Sequence, residues 1–243
     1  MESGFSGEGV ALYDEIYTRM KNYREEAEKV QTWIQKFKPD AKTLLDVACG
    51  TAEHARFLKA QYKIDGLDIS KNFVEAAIKK NPECRYFHGD MIDFKLDDRY
   101  DVIICLFSSI GYVVTEARLR QTIRNFASHL NPGGILLVEP WFSPDRWKPG
   151  APFMVNVNEP LLKVARMNIT TTTDDGASYM KMHYLVGTPK GVQHFTEEHT
   201  LGLFTVDQMK SAFEAAGLQV QFDEAGIFGR GLYIAQTDLQ NDS

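Results

Sequence analysis

The 243-residue sequence has few cysteines, fewer basic than acidic residues and no long apolar run. Its three cysteines, Cys49, Cys84 and Cys105, lack metal-like spacing and lie in apolar segments, so we expect reduced thiols and no disulfide framework. Lysine and arginine number 27 against 33 acidic residues, which gives a net charge of -6. Because clustered basic side chains hold phosphate backbones, nucleic acid is not an expected partner.

Two further absences concern membranes. No stretch reaches the roughly 18 apolar residues that a membrane span needs, and the first ten residues carry no basic patch followed by an apolar run. We therefore expect a cytoplasmic protein without a membrane partner. The hydrophobic fraction of 44% and charged fraction of 25% are those of an ordinary globular protein. The length predicts a single domain over residues 1–243.

Strand-like and helix-like segments alternate through the first 140 residues. This alternation is typical of a parallel sheet covered by helices. Two helices, Val10–Arg19 and Arg24–Phe37, are predicted before the first strand, and Pro39 closes the second. The predicted strands of the sheet are Thr43–Cys49, Ile64–Ile69, Arg85–Gly89, Val102–Phe107, Ile135–Glu139, Gln219–Glu224 and Leu232–Gln236.

The pattern changes after the fifth strand. Three strand-like runs follow, Leu162–Thr172, Ser178–Gly187 and Val192–Phe204. They are separated by Asp174-Asp175-Gly176 and by Thr188-Pro189-Lys190-Gly191, both of which have turn chemistry. We therefore predict an antiparallel insertion of three strands within residues 141–204. It can form a homodimer surface or a wall over a substrate, and the sequence leaves both open.

The strongest functional signal follows the first strand, in Asp46-Val47-Ala48-Cys49-Gly50-Thr51-Ala52. A tight turn at the carboxyl edge of a parallel sheet lets a ligand lie against bare backbone, beside the free N–H groups of a helix N-terminus. The second strand ends near Asp68, which places a carboxylate within reach of a ribose diol. The third ends in Gly89-Asp90-Met91, where a carboxylate suits an adenine amino group. A dinucleotide site favours Gly-x-Gly-x-x-Gly, whereas this shorter turn has no phosphate cradle.

These residues resemble the class I S-adenosylmethionine (SAM)-dependent methyltransferases, and among them the bacterial N,N-dimethyltransferases of dTDP-3-amino-deoxyhexoses. The resemblance spans nearly the whole chain. It implies an α/β fold with a Rossmann-like, seven-stranded, mostly parallel sheet, helices on both faces, a small antiparallel β insertion over 141–204 and an N-terminal helical lid over 1–40. The matching segments are Leu45-Asp46-Val47-Ala48-Cys49-Gly50-Thr51, Gly89-Asp90-Met91, Phe107-Ser108-Ser109-Ile110-Gly111, Pro132-Gly133-Gly134, Val138-Glu139-Pro140-Trp141, His194-Phe195 and Gly229-Arg230-Gly231-Leu232.

The resemblance implies methyl transfer from SAM to a small acceptor, most readily the amine of a nucleotide-linked amino sugar, with S-adenosylhomocysteine as product and no metal. By this resemblance Ala48 and Gly50 line the methionine half of SAM, and Asp68 binds the ribose. The remaining SAM-binding residues implied are Asp90 and Met91 at the adenine, Ile69 and Leu106 on either side of the base, and Tyr13 and Tyr23 over the cofactor. Ala52 departs from the family's usual glycine, and Asp68 from its frequent glutamate.

We also predict an acceptor site at the same edge of the sheet. Tyr13 and Tyr112 are the predicted catalytic residues, which position the amine or receive its proton. The predicted substrate-binding residues are Tyr17, Glu139, Trp141 and Arg230. The guanidinium fork of Arg230 suits a phosphate. The simpler alternative for Arg230 is an ion pair with an acid such as Glu224. Alternative functions are a methyltransferase for another N, O or C nucleophile, a non-catalytic SAM- or nucleotide-binding protein, and a dehydrogenase.

Overall fold

A computed structural model describes residues 7–227 and 229–238; residues 1–6 of the predicted lid lie outside these ranges. Two helices come first, α1 (Gly7–Met20) and α2 (Tyr23–Phe37). The side chain of Asn22 caps α2 by accepting the N–H of Glu25, which satisfies one of the donors that a helix start leaves open. The helix turns a buried apolar stripe toward the sheet, formed by Ala27, Val30 and Ile34.

Eleven strands, four further α-helices and one 3-10 helix (Ser109–Val113) follow in the described residues. The helices are α3 (Ala55–Leu58), α4 (Lys71–Lys80), α5 (Glu116–Ser128) and α6 (Val206–Glu214). The strands are β1 (Thr43–Val47), β2 (Lys63–Asp68), β3 (Arg85–His88), β4 (Tyr100–Cys105), β5 (Leu130–Val138), β6 (Pro152–Glu159), β7 (Leu162–Thr172), β8 (Ser178–Thr188), β9 (Gly191–Leu201), β10 (Leu218–Asp223) and β11 (Leu232–Thr237).

Seven of these strands form the main sheet, in the order β10-β11-β5-β4-β1-β2-β3. Strand β11 runs antiparallel to both of its neighbours, and the other pairings are parallel. Successive residues of β1 point to opposite faces: Leu44 packs with α2 and α3, whereas Leu45 packs with α5 and α6. Burial on both faces explains the continuous apolar runs of the central strands, and it confirms the predicted sheet with helices on both sides.

The insertion is a second sheet of four antiparallel strands, in the order β6-β7-β8-β9. The prediction of three strands was wrong because it missed β6, which pairs with β7 from Pro152↔Ile169 to Glu159↔Leu162. Strand β6 begins at a proline and exposes Phe153 and Met154. An edge strand tolerates both features, since one side of its backbone has no neighbour. Its long pairing with β7 therefore decides its conformation.

Helix α1 lies between the two sheets. Leu12, Ile16 and Tyr17 pack in one apolar cluster with the inner face of the insertion, which includes Met180 and Tyr184. Fully burying an aliphatic side chain contributes about 1.5–3 kcal/mol, so this contact holds α1 against the insertion. The lid role predicted for residues 1–40 stays a prediction.

Candidate active site

The turn that follows β1 has an unusual backbone. Ala48, Gly50 and Ala52 have φ values of 58°, 55° and 57°, a left-handed region that side chains with a Cβ enter at a cost. A Cβ built on Gly50 meets nothing within 4 Å, so the peptide groups of the turn border open space. Conformations of this kind cluster at ligand sites, and small residues here leave the backbone accessible.

The carboxylate of Asp68 is fixed beside this turn. It accepts the N–H of Gly50 at 2.9 Å and the N–H of Ser70 at 2.8 Å. Burial raises the pKa of Asp68, while the two backbone N–H groups oppose that rise by stabilising the charged form. The hydrogen bond from Gly50 joins the ends of β1 and β2, and a carboxylate has further lone pairs for a ligand hydroxyl.

A cavity of about 270 Å³ opens along the carboxyl ends of β1 to β4, close to the lower end of the roughly 300–1,000 Å³ typical of small-molecule sites. The loop after β3 closes one side, where Asp90 accepts the N–H of Ile92 at 3.0 Å. The cavity brings together most of the residues predicted to bind SAM and both predicted catalytic residues. These are Tyr13, Ala48, Gly50, Asp68, Ile69, Asp90, Met91 and Tyr112.

A second cavity of about 30 Å³ adjoins the first and shares Tyr13, Ala48, Gly50 and Ser109 with it. Tyr23 and Leu106 line this smaller cavity, whereas Ile69 lines the large one. Ile69 and Leu106 therefore do not face the same cavity. The hydroxyl groups of Tyr13 and Tyr23 are hydrogen-bonded to each other. Burial raises the pKa of both tyrosines, so both remain neutral phenols.

The charged residues that line the small cavity were not predicted; they include Lys21, Asp46 and Glu53. Lys21 lies 3.0 Å from Glu26, whose carboxylate is also 2.8 Å from His54, and burial lowers the lysine's pKa. Burial and the neighbouring Asp68 raise the pKa of Asp46 to about 8. Asp46 stood in the recognised turn, but no pattern in the sequence indicated its burial. Lys21 lies at the junction of α1 and α2, and only the fold directs its side chain inward.

Helix α1 also reaches the turn through polar contacts. Asp14 accepts a hydrogen bond from the Thr51 hydroxyl at 2.6 Å and pairs with Lys80 of α4 at 2.6 Å. The same ammonium group lies 2.6 Å from Glu53. The helix is therefore tied on one side to the turn and on the other to the insertion.

The loop after β4 carries Tyr112 to the large cavity. Phe107 and Ser108 have φ values of 52° and 63°, and both are held from the end of β5: the N–H of Phe107 donates to Glu139 at 2.7 Å, and the Ser108 hydroxyl to the carbonyl of Pro140 at 2.7 Å. The Tyr112 hydroxyl lies 2.9 Å from Nδ1 of His199 on β9. No pattern in the sequence indicates this contact, because strand pairing alone brings His199 there.

The other residues predicted for the acceptor surround Phe107 and do not line either cavity. Arg230 donates to the buried carboxylate of Glu139 at 3.1 Å, so Glu139 is an acidic partner of its guanidinium. The guanidinium lies 5.6 Å from the Phe107 ring centroid and 5.7 Å from that of Trp141. Tyr17 packs edge-on against Phe107 at 5.3 Å.

Comparison with known proteins decides the family. Residues 44–134 match a family model described as a methyltransferase domain. The chain is 37% identical over 235 residues to the dTDP-3-amino-3,6-dideoxy-alpha-D-glucopyranose N,N-dimethyltransferase of Streptomyces fradiae, an alignment that covers 96% of this chain and 92% of the relative. The chain belongs to this family of methyltransferases.

Two solved structures resemble the methyltransferase over almost its full length. DesVI of Streptomyces venezuelae has a TM-score of 0.90 at 34% identity, with 96% of this chain and all of that one covered. SAM-bound CalS10, an amino pentose methyltransferase of Micromonospora echinaspora, has a TM-score of 0.83 at 32% identity, with 96% and 97% covered. The family and the fold implied by the sequence are thereby confirmed.

Proposed function

We propose that this methyltransferase moves methyl groups from SAM to the amine of a nucleotide-linked amino sugar. The observation that carries the proposal is the extent of the similarity. Relatives named as N,N-dimethyltransferases of three dTDP-linked amino sugars are 35–37% identical to this chain over 92–96% of it. The similarity thus extends beyond the matched domain into α1, α2 and the insertion, which border the cavities.

The residues of the large cavity fit SAM. In this proposal Ala48 and Gly50 offer their exposed backbone to the methionine half, and Asp68 accepts the ribose hydroxyls. Asp90 and Met91 bind the adenine, with Ile69 against its face. Tyr13 and Tyr23 cover the cofactor, and Leu106 borders it from the small cavity. When bound, SAM supplies an electrophilic methyl group on a positively charged sulfur, which the buried carboxylate of Asp68 favours electrostatically, as does Asp46 once it has lost its proton.

The protein's part in the transfer is mainly orientation. The amine nitrogen must lie about 3 Å from the methyl carbon with water excluded. It bonds to that carbon as the carbon–sulfur bond breaks, and the electron pair of that bond stays on sulfur. The methylated amine then loses its extra proton to water. Burial raises the pKa of Tyr13 and Tyr112, so we propose that both hold the amine by hydrogen bonds as neutral phenols and do not act as phenolate bases.

The cluster around Phe107 is proposed as the binding site for the rest of the acceptor. Arg230, with its side chain 17% exposed, presents a guanidinium beside aromatic rings, which suits a phosphate or another anionic group. Glu139 fixes the orientation of that guanidinium. Trp141, whose ring nitrogen donates to Ser178 at 2.9 Å, and Tyr17 offer surfaces for the sugar.

A panel of acceptors with labelled SAM tests this function. We expect methyl transfer to dTDP-linked 3-amino or 4-amino sugars and none to glycine or simple phenols. Transfer to glycine or a phenol alone would identify a methyltransferase for another nucleophile. Binding of SAM without transfer to any acceptor would favour a non-catalytic protein, and binding of NAD without SAM would favour a dehydrogenase.

We also propose that two copies associate through the outer face of the insertion. Five exposed apolar side chains share that face, as the strand register shows: Met154, Met167, Ile169, Leu185 and Val192. Contiguous exposed apolar surface of this kind marks association sites. Sedimentation of the wild type against Leu185→Glu, with a dimer expected only for the wild type, tests the arrangement.

A further inference from the structure

We infer that His199 is a positioning residue for methyl transfer: it turns the hydroxyl proton of Tyr112 away from the cavity, so that the phenol oxygen accepts a hydrogen bond from the acceptor amine. The inference rests on the proposed function, because it concerns the polarity of the site that receives an amine. Tyr112 lines the large cavity, and its hydroxyl lies 2.9 Å from Nδ1 of His199. His199 is 1% exposed, on the inner face of the insertion.

The direction of this hydrogen bond depends on the tautomer of His199. Burial and the nearby Arg166 lower the pKa of His199 to about 4, so the ring is neutral at working pH and has one donor nitrogen and one acceptor nitrogen. Its Nε2 faces Oε2 of Glu197 at a distance of 3.9 Å. A buried carboxylate favours an N–H and disfavours a lone pair. The inference accordingly assigns the proton to Nε2, so that Nδ1 accepts the hydrogen bond from Tyr112.

A hydrogen bond that runs from the Tyr112 hydroxyl to His199 suits an amine acceptor. With its proton directed at Nδ1, the Tyr112 oxygen presents lone pairs to the cavity and accepts an amine N–H, which leaves the nitrogen lone pair directed at the methyl group. The opposite tautomer would place a hydroxyl proton in the cavity. That proton would bind the nitrogen lone pair and oppose attack.

Several charged and titratable groups surround the pair and are kept constant in the test. Arg166 approaches from β7 and Tyr184 from β8, while Glu197 shares β9 with the histidine. Tyr17 on α1 and Asp68 at the sheet edge lie near Tyr112. None of these groups is altered by the variants below.

The first test is a double-mutant cycle. His199→Leu removes the acceptor, His199→Asn keeps one near the position of Nδ1, and Tyr112→Phe removes the donor. We expect kcat for a dTDP-amino sugar to fall at least about fivefold in His199→Leu, the effect of one hydrogen bond, and to recover within about twofold of wild type in His199→Asn. In the Tyr112→Phe background, His199→Leu should cause no further fall, because the histidine acts through the tyrosine.

Calorimetric SAM affinity within about twofold of wild type shows that the variants are folded. Gln193→Leu is the control, since this exposed residue lies on the same strand and outside the proposed association face. Wild-type kcat in His199→Leu, or an equal fall in both backgrounds, would overturn the inference.

The tautomer gives a test that needs no acceptor. Nitrogen-15 NMR of histidine-labelled protein, with the His199 signals identified by their loss in His199→Leu, should show the proton on Nε2 from pH 6 to 8. A proton on Nδ1 overturns the inference whatever the activity. If the tautomer is as stated and SAM binds, but no amino sugar is methylated, the proposed function fails separately.

Discussion

The two sheets fix their buried polar groups by different means. At the edge of the main sheet, backbone N–H groups from one turn and one strand end hold the carboxylate of Asp68. In the insertion, Arg166, Glu197 and His199 lie on different parts of long strands and contact residues far away in sequence, as in the 2.9 Å hydrogen bond from Arg166 to Tyr17. The first site is built locally, and the second depends on tertiary pairing. We therefore expect changes at the first to alter cofactor affinity and changes at the second to alter stability or acceptor chemistry.

The largest expected effect separates these two roles. Asp68→Asn should weaken SAM binding by at least about 100-fold. The substitution removes the charge opposite the cofactor, and it replaces a carboxylate that accepts two backbone N–H groups with an amide. Calorimetry measures the change, with the exposed Asp97→Asn as the matched control. Affinity within threefold of wild type would mean that the sheet edge is not the cofactor site.

The complementary change lies in the insertion. Tyr17→Phe leaves a buried donor of Arg166 without its acceptor, so we expect a loss of about 2 kcal/mol in the free energy of unfolding, measured in urea. SAM affinity should stay within about twofold. Tyr179→Phe, on the half-exposed side of β8, is the control and should change stability by less than about 0.5 kcal/mol. Similar losses in both variants would contradict the assigned role of the hydroxyl.

The smallest expected effect is a pH dependence at the sheet edge. The pKa of Asp46 is raised to about 8, so the cofactor-free protein retains a proton there that an unfolded chain loses near pH 4. Its contribution to stability is complete below about pH 4 and is lost as the pH rises to about 8. Because a bound sulfonium favours the ionised carboxylate, SAM affinity should rise by up to about tenfold between pH 7 and 9. In Asp46→Asn that slope should vanish, and an unchanged slope would assign it to another group.

The same contrast explains what could be predicted from the sequence. The main-sheet strands were placed because apolar periodicity and turn residues are local signals, and Ala48, Gly50, Asp68 and Asp90 follow directly from the strand ends. Strand β6 was missed because its pairing with β7, not its composition, makes it a strand. The partner of Arg230 and the contact between Tyr112 and His199 join residues 91 and 87 positions apart. No local pattern encodes such pairs.

Helix α1 has a consequence for the timing of the reaction cycle. In the proposed arrangement, in which Tyr13 covers the cofactor, S-adenosylhomocysteine would not leave past Tyr13 while Asp14 contacts Thr51 and Lys80 and while Tyr17 is hydrogen-bonded to Arg166. On this proposal each exchange of cofactor would require local release of α1, and we expect the rate of product release to follow the strength of those few contacts. Weakening these contacts should speed cofactor exchange and at the same time admit water to the site of methyl transfer. We therefore expect faster product release to come with poorer protection of the reactive methyl group.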